Sequence, residues 1–154
     1  HRPGQRSQRV SNAVPWNELT RQAITVRAEA HAPYSRYLVG AALVTRAGRV
    51  FAGCNVENAS YGLCLCAERS AIAQMVAAGC RDPIAIAIAT SGPRPASPCG
   101  ACRQVLAEFA EDLAIRLISV GPGGAPRDAE LVETTLAELL PRIPRDELPE
   151  AHRT

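Results

Sequence analysis

The sequence lacks the long apolar run that a membrane-spanning helix requires. No stretch approaches the roughly 20 apolar residues needed to cross a bilayer. The longest, PIAIAIAT at 83–90, has the length of a buried strand. It also lacks an excess of one charge, because 17 basic and 15 acidic residues are interspersed and leave a net charge of +2. This balance argues against the basic surface that binds polynucleotides or anionic membranes, so neither is expected as a partner.

The N-terminal segment lacks the apolar core of a secretion signal. Residues 1–13 are basic and polar, and they predict a flexible arm. The absence of an initiating methionine indicates a processed or trimmed chain, and a cytoplasmic location is expected. The length of 154 residues suits a single domain with a real core, expected over 14–141. A polar tail follows over 142–154.

Cysteine, in contrast, is well represented. An even number of cysteines permits disulfides, but a chain of this length without a secretion signal has little need of them. Reduced thiols, some of them binding a metal, are therefore the better expectation. The six are Cys54, Cys64, Cys66, Cys80, Cys99 and Cys102.

The spacing of apolar residues predicts alternating helices and strands. The helices are expected at 14–32, 66–79, 99–112 and 135–140, and the strands at 37–45, 49–57, 83–90 and 114–120. The first two strands flank a short turn and predict an antiparallel hairpin. The last two flank a helix, so they should be parallel with a right-handed crossover. An α/β fold follows, a mixed sheet with helices on both faces and a site at the strand ends where helices begin.

Two of the predicted helices begin at a cysteine, Cys66 in one and Cys99 in the other, with Cys102 one turn further on. The partial positive charge and free amides of a helix N-terminus stabilise a thiolate, the form that binds metal. Three protein ligands leave the fourth tetrahedral position of zinc for water, which is typical of a catalytic site. A redox pair, or a structural site completed by Cys64, is the alternative.

The residues around these cysteines add chemistry. CAE at 66–68 followed by PCGAC at 98–102 matches the pattern of zinc deaminases. Glu68 lies where it can exchange protons with a water at the metal. Three thiolates leave excess negative charge, which raises the pKa of that water. A guanidinium would offset this charge. Arg69 and Arg103 each lie within three residues of a candidate ligand, and Arg69 is preferred.

Four segments together identify a family. YSRYLVGAALV, GCNVENASYG, CAERSAI and SPCGACRQVLAEF resemble the small, homotetrameric, zinc-dependent cytidine deaminases, from about Trp16 to Pro141. The resemblance implies a three-layer α/β/α fold with a mixed five-stranded sheet. It also implies one Zn²⁺ per chain, held by Cys66, Cys99 and Cys102. The implied reaction, in pyrimidine salvage, is hydrolytic deamination of cytidine and 2′-deoxycytidine to uridine and 2′-deoxyuridine.

The same resemblance implies roles for single residues. Glu68 would take a proton from the water at the zinc, protonate N3 of the base and deliver a proton to the leaving ammonia. The backbone N–H of Ala67 would hold the base carbonyl. Asn55 and Glu57 would bind the ribose hydroxyls. Since a carboxylate repels phosphate, the pair favours a free nucleoside over a nucleotide or polynucleotide.

Two tyrosines and one departure from the family remain. Tyr37 stands where the family usually has Phe, packed near the nucleoside, and Tyr61 would lie near a subunit interface, facing a neighbouring site or simply packing there. After ELLP the family often has a Phe that enters a neighbour's pocket. This chain has Ile143 and Pro144 instead, which bears on substrate affinity and choice.

Two other functions compete with cytidine deamination. The first is a deaminase of another aminopyrimidine nucleoside, such as an antibiotic of the blasticidin type. The second is a zinc-stabilised binding module without turnover, which a fourth protein ligand in place of water would support.

Overall fold

A computed structural model describes residues 14–125 and 131–142. The predicted arm at 1–13, Ile143, Pro144 and all of the predicted tail except Arg142 lie outside these residues. The described chain forms, in order, α1 (Trp16–Arg27), β1 (Gly40–Thr45), β2 (Val50–Cys54), a 3₁₀ turn (Tyr61–Leu63), α2 (Ala67–Ala77), β3 (Pro83–Ser91), α3 (Gly100–Phe109), β4 (Ala114–Val120), β5 (Val132–Thr135) and α4 (Leu136–Leu139).

The five strands form one mixed sheet in the order β2-β1-β3-β4-β5. β1 pairs antiparallel with β2 and with β3, β3 pairs parallel with β4, and β4 pairs antiparallel with β5. The predicted hairpin and the predicted parallel crossover are therefore confirmed. β5 was expected only from the family resemblance, because its four residues, VETT, are too short and too exposed to show a clear alternation.

The alternation of alanine and isoleucine in β3 divides the core into two layers. Ala85, Ala87 and Ala89 face α1, while Ile86 and Ile88 pack with residues of α2 and α3 on the opposite face. Side chains alternate between the two faces of a strand, so each face is apolar and each is covered by helix. The expected three-layer α/β/α architecture is confirmed.

Two glycines let helices lie directly on the sheet. A Cβ at Gly53 would collide with Ala71 N and lie 2.8 Å from Ala67 O, and a Cβ at Gly40 would collide with Ala23 O. Any other residue at these positions would push the helix away from its strand. Gly53 therefore sets how closely the first turn of α2, which carries Glu68, approaches β2.

Several element ends differ from the prediction by a few residues. The second predicted helix ends at Ala77 rather than at 79, followed by Gly79 with φ of +85°. The first strand begins at Gly40 rather than at 37, because the Asn55 side chain, instead of a strand ladder, holds the backbone at 37 and 39. The last helix begins where its capping pattern predicts, since Thr135 Oγ1 accepts from Glu138 N at 3.3 Å. Within the described ranges, no helix is long and apolar enough to cross a membrane.

Candidate active site

Two helix N-termini meet at the carboxyl end of β3. Cys66 is the N-cap of α2 and Cys99 is the N-cap of α3, both in extended conformation. Cys99 Sγ accepts a hydrogen bond from Cys102 N at 3.5 Å, as an N-cap side chain does. Local chain chemistry thus places both sulfurs beside free backbone amides, which favour a thiolate.

The three predicted ligands converge. The Sγ atoms of Cys66, Cys99 and Cys102 lie within 4.8 Å of one another, and those of Cys66 and Cys99 are 3.9 Å apart. Tetrahedral zinc with Zn–S bonds of about 2.3 Å places two sulfurs about 3.8 Å apart. The donor set and its spacing therefore fit zinc.

Cys64, the predicted alternative as a fourth ligand, has other contacts. Asn58 N donates to Cys64 Sγ at 3.4 Å. Within residues 14–125 and 131–142, the group able to hold a metal consists of the three other thiols. The arrangement therefore favours a site with one position left for a non-protein ligand.

The three thiols shift one another's pKa values. A hydrogen bond from Cys102 lowers the pKa of the Cys66 thiol to about 5, and smaller contributions come from Arg69 and Cys99. Burial acts in the opposite direction. The same hydrogen bond with Cys66, together with burial, raises the pKa of Cys102. The lowered pKa of Cys66 favours its thiolate, the form that binds a metal cation.

Glu68 is a buried carboxyl at the edge of this cluster. Only 5% of the residue is exposed, and Cys102 Sγ donates to Glu68 Oε2 at 3.5 Å. Burial, with a smaller contribution from the Cys66 charge, raises the pKa of the Glu68 carboxyl. A carboxyl of this kind can hold a proton closer to neutral pH than an exposed one can.

The two candidate arginines have different partners. Arg69 donates through Nη2 to Cys66 Sγ at 3.5 Å and to Cys64 O at 3.3 Å. Arg103 donates instead to Pro98 O and to Leu139 O, each at 2.8 Å, which ties α3 to α4. Of the two guanidiniums, that of Arg69 lies beside a ligand sulfur.

Asn55 and Glu57 lie beyond the end of β2 and hold a neighbouring segment. Asn55 Oδ1 accepts from Val39 N and its Nδ2 donates to Tyr37 O, both at 2.8 Å. Glu57 accepts from Tyr34 N at 3.0 Å, from Ser35 N at 3.1 Å and from Ser35 Oγ at 2.6 Å. The Ser35 hydroxyl, with these backbone amides, lowers the pKa of Glu57.

The remaining predicted residues are placed as follows. Ala67 is the buried first residue of α2, where a backbone N–H has no partner within its own helix. Tyr37 is 41% exposed and follows Arg36, whose φ of +57° turns the chain. Tyr61 is 80% exposed in the loop before α2. The single chain therefore does not bring Tyr61 into a packed site.

Sequence reasoning missed the partner of Glu57 and the buried hydroxyl of Thr90. Ser35 lies in a turn, where serine is common, so only its three-dimensional contact marks it. Thr90 is 3% exposed and interrupts the apolar pattern of β3, a signal that was present in the sequence. A cavity of about 760 Å³ lies at the other end of the sheet, near Trp16 and Phe109, and it contains none of the predicted site residues.

Three convergent thiols at helix N-termini, with a buried carboxyl beside them, define a zinc-dependent hydrolytic site. Comparison with known proteins agrees. The family model described as the cytidine and deoxycytidylate deaminase zinc-binding region matches residues 16–117. A cytidine deaminase of Halalkalibacterium halodurans is 45% identical over 124 residues, 80% of this chain and 89% of the relative.

Solved structures give the same result. The crystal structure of a cytidine deaminase from Burkholderia pseudomallei has a TM-score of 0.75 and 44% identity, covering 83% of this chain and 98% of that one. A blasticidin-S deaminase of Bacillus cereus is more distant, at 30% identity over 116 residues, 70% of this chain and 76% of the relative. This chain belongs to the cytidine and deoxycytidylate deaminase family, and the resemblance seen in the motifs is confirmed.

Proposed function

We propose that this chain hydrolyses cytidine and 2′-deoxycytidine to uridine, 2′-deoxyuridine and ammonia. The observation that carries the proposal is the buried Glu68 carboxyl, 3.5 Å from Cys102 Sγ at the edge of three convergent thiols. Relatives named cytidine deaminase, at 39–46% identity, support this substrate over blasticidin S, whose deaminase is 30% identical.

Cys66, Cys99 and Cys102 would hold one zinc ion per chain. When bound, zinc supplies Lewis-acid chemistry that makes water a nucleophile near neutral pH. The Arg69 guanidinium, 3.5 Å from Cys66 Sγ, would offset part of the charge of three thiolates. Because the described residues offer no fourth thiol within reach, a zinc-stabilised module without turnover is disfavoured.

Glu68 would carry protons through the reaction. A C4–O bond forms from water and the C4–N bond then breaks, so one proton of the water must reach N3 and the other must reach the departing nitrogen. The carboxylate would accept one proton of the water and deliver it to N3. It would then take the second proton from the new C4 hydroxyl and give it to the amino group, which departs as ammonia while C4=O forms. The raised pKa of Glu68, caused mainly by burial, suits a group that must hold a proton between these steps.

The nucleoside would be bound by the surrounding backbone and loop. The N–H of Ala67 would donate to the base carbonyl, and the Tyr37 ring would pack beside the nucleoside. Asn55 Nδ2 would donate to one ribose hydroxyl and the Glu57 carboxylate would accept from another, while both keep their contacts with residues 34–39. A carboxylate here disfavours a 5′-phosphate or a polynucleotide.

A cytoplasmic homotetramer acting in pyrimidine salvage is the proposed setting. Tyr61 and Leu63 are 80% and 71% exposed, an apolar surface that a second subunit would cover. Tyr61 would then approach a neighbouring site. Sedimentation at micromolar concentration tests this assembly, and a monomer as the main species would contradict it.

Loss of the cytosine absorbance band, measured with ammonia release and zinc content in one sample, tests the reaction. We expect turnover of cytidine with about one zinc per chain. A zinc-loaded chain that leaves cytidine intact but releases ammonia from blasticidin S would show that the substrate is blasticidin S rather than cytidine. A zinc-loaded chain inert on every aminopyrimidine nucleoside would indicate a binding module.

A further inference from the structure

The Thr90 hydroxyl, near the carboxyl end of β3, is buried without a partner. Thr90 is 3% exposed, and its Oγ1 has no hydrogen-bond partner among the described residues. Buried hydroxyls are nearly always hydrogen-bonded, because leaving one unsatisfied is unfavourable. A hydrogen bond that forms only when the site holds its metal would explain why the Thr90 hydroxyl has no partner among the described residues.

The direction of Thr90 follows from the two core layers. Three cross-strand pairs lie in a row along β3 and β4, Ile86 with Ile115, Ile88 with Leu117 and Thr90 with Ser119. The four apolar members belong to the layer shared with α2 and α3. Because side chains two apart in a strand share a face, Thr90 extends this row toward the thiol cluster.

The α2 helix presents a matching row. Met75, Ile72 and Ala71 pack in the same layer, and Glu68, one turn before Ala71 and Ile72, continues their buried stripe. Gly53, near the carboxyl end of β2, contacts the backbone of Ala67 and Ala71, so α2 begins at this end of the sheet. Two apolar rows packed on each other thus end in one polar group each, Thr90 on the sheet and Glu68 on the helix.

The hydroxyl of Ser119, which pairs with Thr90 across the two strands, already has a hydrogen-bond partner. Ser119 Oγ donates to Gly92 O at 2.5 Å, so its hydroxyl braces the loop after β3. Cys102 Sγ donates to Glu68 Oε2 at 3.5 Å. Of the Thr90 and Ser119 pair, Thr90 is therefore the one whose hydroxyl is still free to donate.

We propose that Thr90 is a positioning residue whose hydroxyl donates a hydrogen bond to the Glu68 carboxyl in the zinc-loaded protein. This contact holds the carboxyl in one orientation for proton transfer. Its importance for turnover rests on the proposed function, whereas the contact itself does not.

A double-mutant cycle on thermal unfolding tests the contact without any substrate. The four zinc-loaded proteins are the wild type, Thr90→Val, Glu68→Leu and the double variant. We expect Thr90→Val to lower the unfolding midpoint by about 2–5 °C in the wild type and by less than about 1 °C when Glu68 is Leu. Equal shifts in the two backgrounds would overturn the proposal, even if cytidine proves not to be the substrate.

A kinetic arm covers the case in which Glu68→Leu fails to fold. Thr90→Val should lower kcat about tenfold with KM within about twofold, at unchanged zinc content, and Thr90→Ser should restore most of kcat. Thr20→Val is the matched control, since Thr20 Oγ1 is also buried without a partner but lies on α1, across the sheet. An unchanged kcat for Thr90→Val, or a Thr90→Ser as slow as Thr90→Val, would overturn the proposal.

Discussion

The thiol cluster and the segment at residues 34–39 flank the same end of the sheet but are built in opposite ways. The thiols and Glu68 belong to the first turns of two helices packed on the sheet, and Glu68 and Cys102 are buried. Asn55 and Glu57 instead hold exposed backbone through hydrogen bonds that are complete without a ligand.

This difference teaches how each region responds to change. At the thiol cluster a single side chain supplies a ligand or a proton, so its loss ends the chemistry. At the 34–39 segment several hydrogen bonds share the work of holding a surface, so a loss weakens binding by degrees. The predictions below probe this contrast from the largest expected effect to the smallest.

Removing one thiol should abolish both metal and activity. We expect Cys99→Ser to retain less than about a tenth of a zinc ion per chain and to lose turnover, because two thiolates hold zinc far more weakly than three. Zinc content by atomic absorption and ammonia release measure this. Cys64→Ser is the matched control, since Cys64 Sγ contacts Asn58 N instead. Full zinc content in Cys99→Ser would remove Cys99 from the ligand set.

Neutralising Glu68 should separate metal binding from chemistry. Glu68→Gln keeps the size of the side chain but cannot shuttle a proton, so kcat should fall about 10²- to 10⁴-fold at unchanged zinc content. Glu108→Gln, on the exposed side of α3, is the control. Wild-type turnover in Glu68→Gln would exclude Glu68 as the proton carrier.

A change at the 34–39 segment should act on binding alone. Glu57→Gln weakens three charge-assisted hydrogen bonds to residues 34 and 35, and the proposed contact with the ribose, so KM should rise about tenfold with kcat nearly unchanged. Steady-state kinetics measure the two constants, with the exposed Glu18→Gln as the control. A fall in kcat as large as the rise in KM would show that the two regions are not separable in this way.

Acidification should release zinc, and Arg69 should influence the pH at which half of the zinc is released. Protons compete with zinc for all three thiolates, so zinc affinity falls as the pH drops, and Arg69 lowers the pKa of one of them, Cys66. Arg69→Gln removes a group that lowers this pKa, which moves the release midpoint up by about half a unit to one unit. Arg103→Gln should leave the midpoint unchanged, because Arg103 binds carbonyls of Pro98 and Leu139. Equal midpoints in the two variants would contradict the assignment.

Much of the metal end was readable from the sequence, because its information is local. Cys99 begins one helix, and Cys102 follows it by one turn. Glu68 lies two positions after Cys66, which begins another helix. Helix geometry sets each of these relations within a few residues. The alternating apolar pattern of 83–90 likewise predicted a strand covered on both faces. These features depend on residues that are close in the chain, so they can be predicted without knowing the rest of the fold.

The tertiary structure decided what depends on distant residues. Arg69 was preferred over Arg103 from the sequence, but only the structure shows their contacts: Arg69 donates to Cys66 Sγ, and Arg103 donates to Pro98 O and Leu139 O. The strand β5 exists because β4 offers it an edge to pair with, not because VETT requires it. The convergence of Cys66, Cys99 and Cys102 needs two separate helices to begin at one end of the sheet, which only packing can bring about.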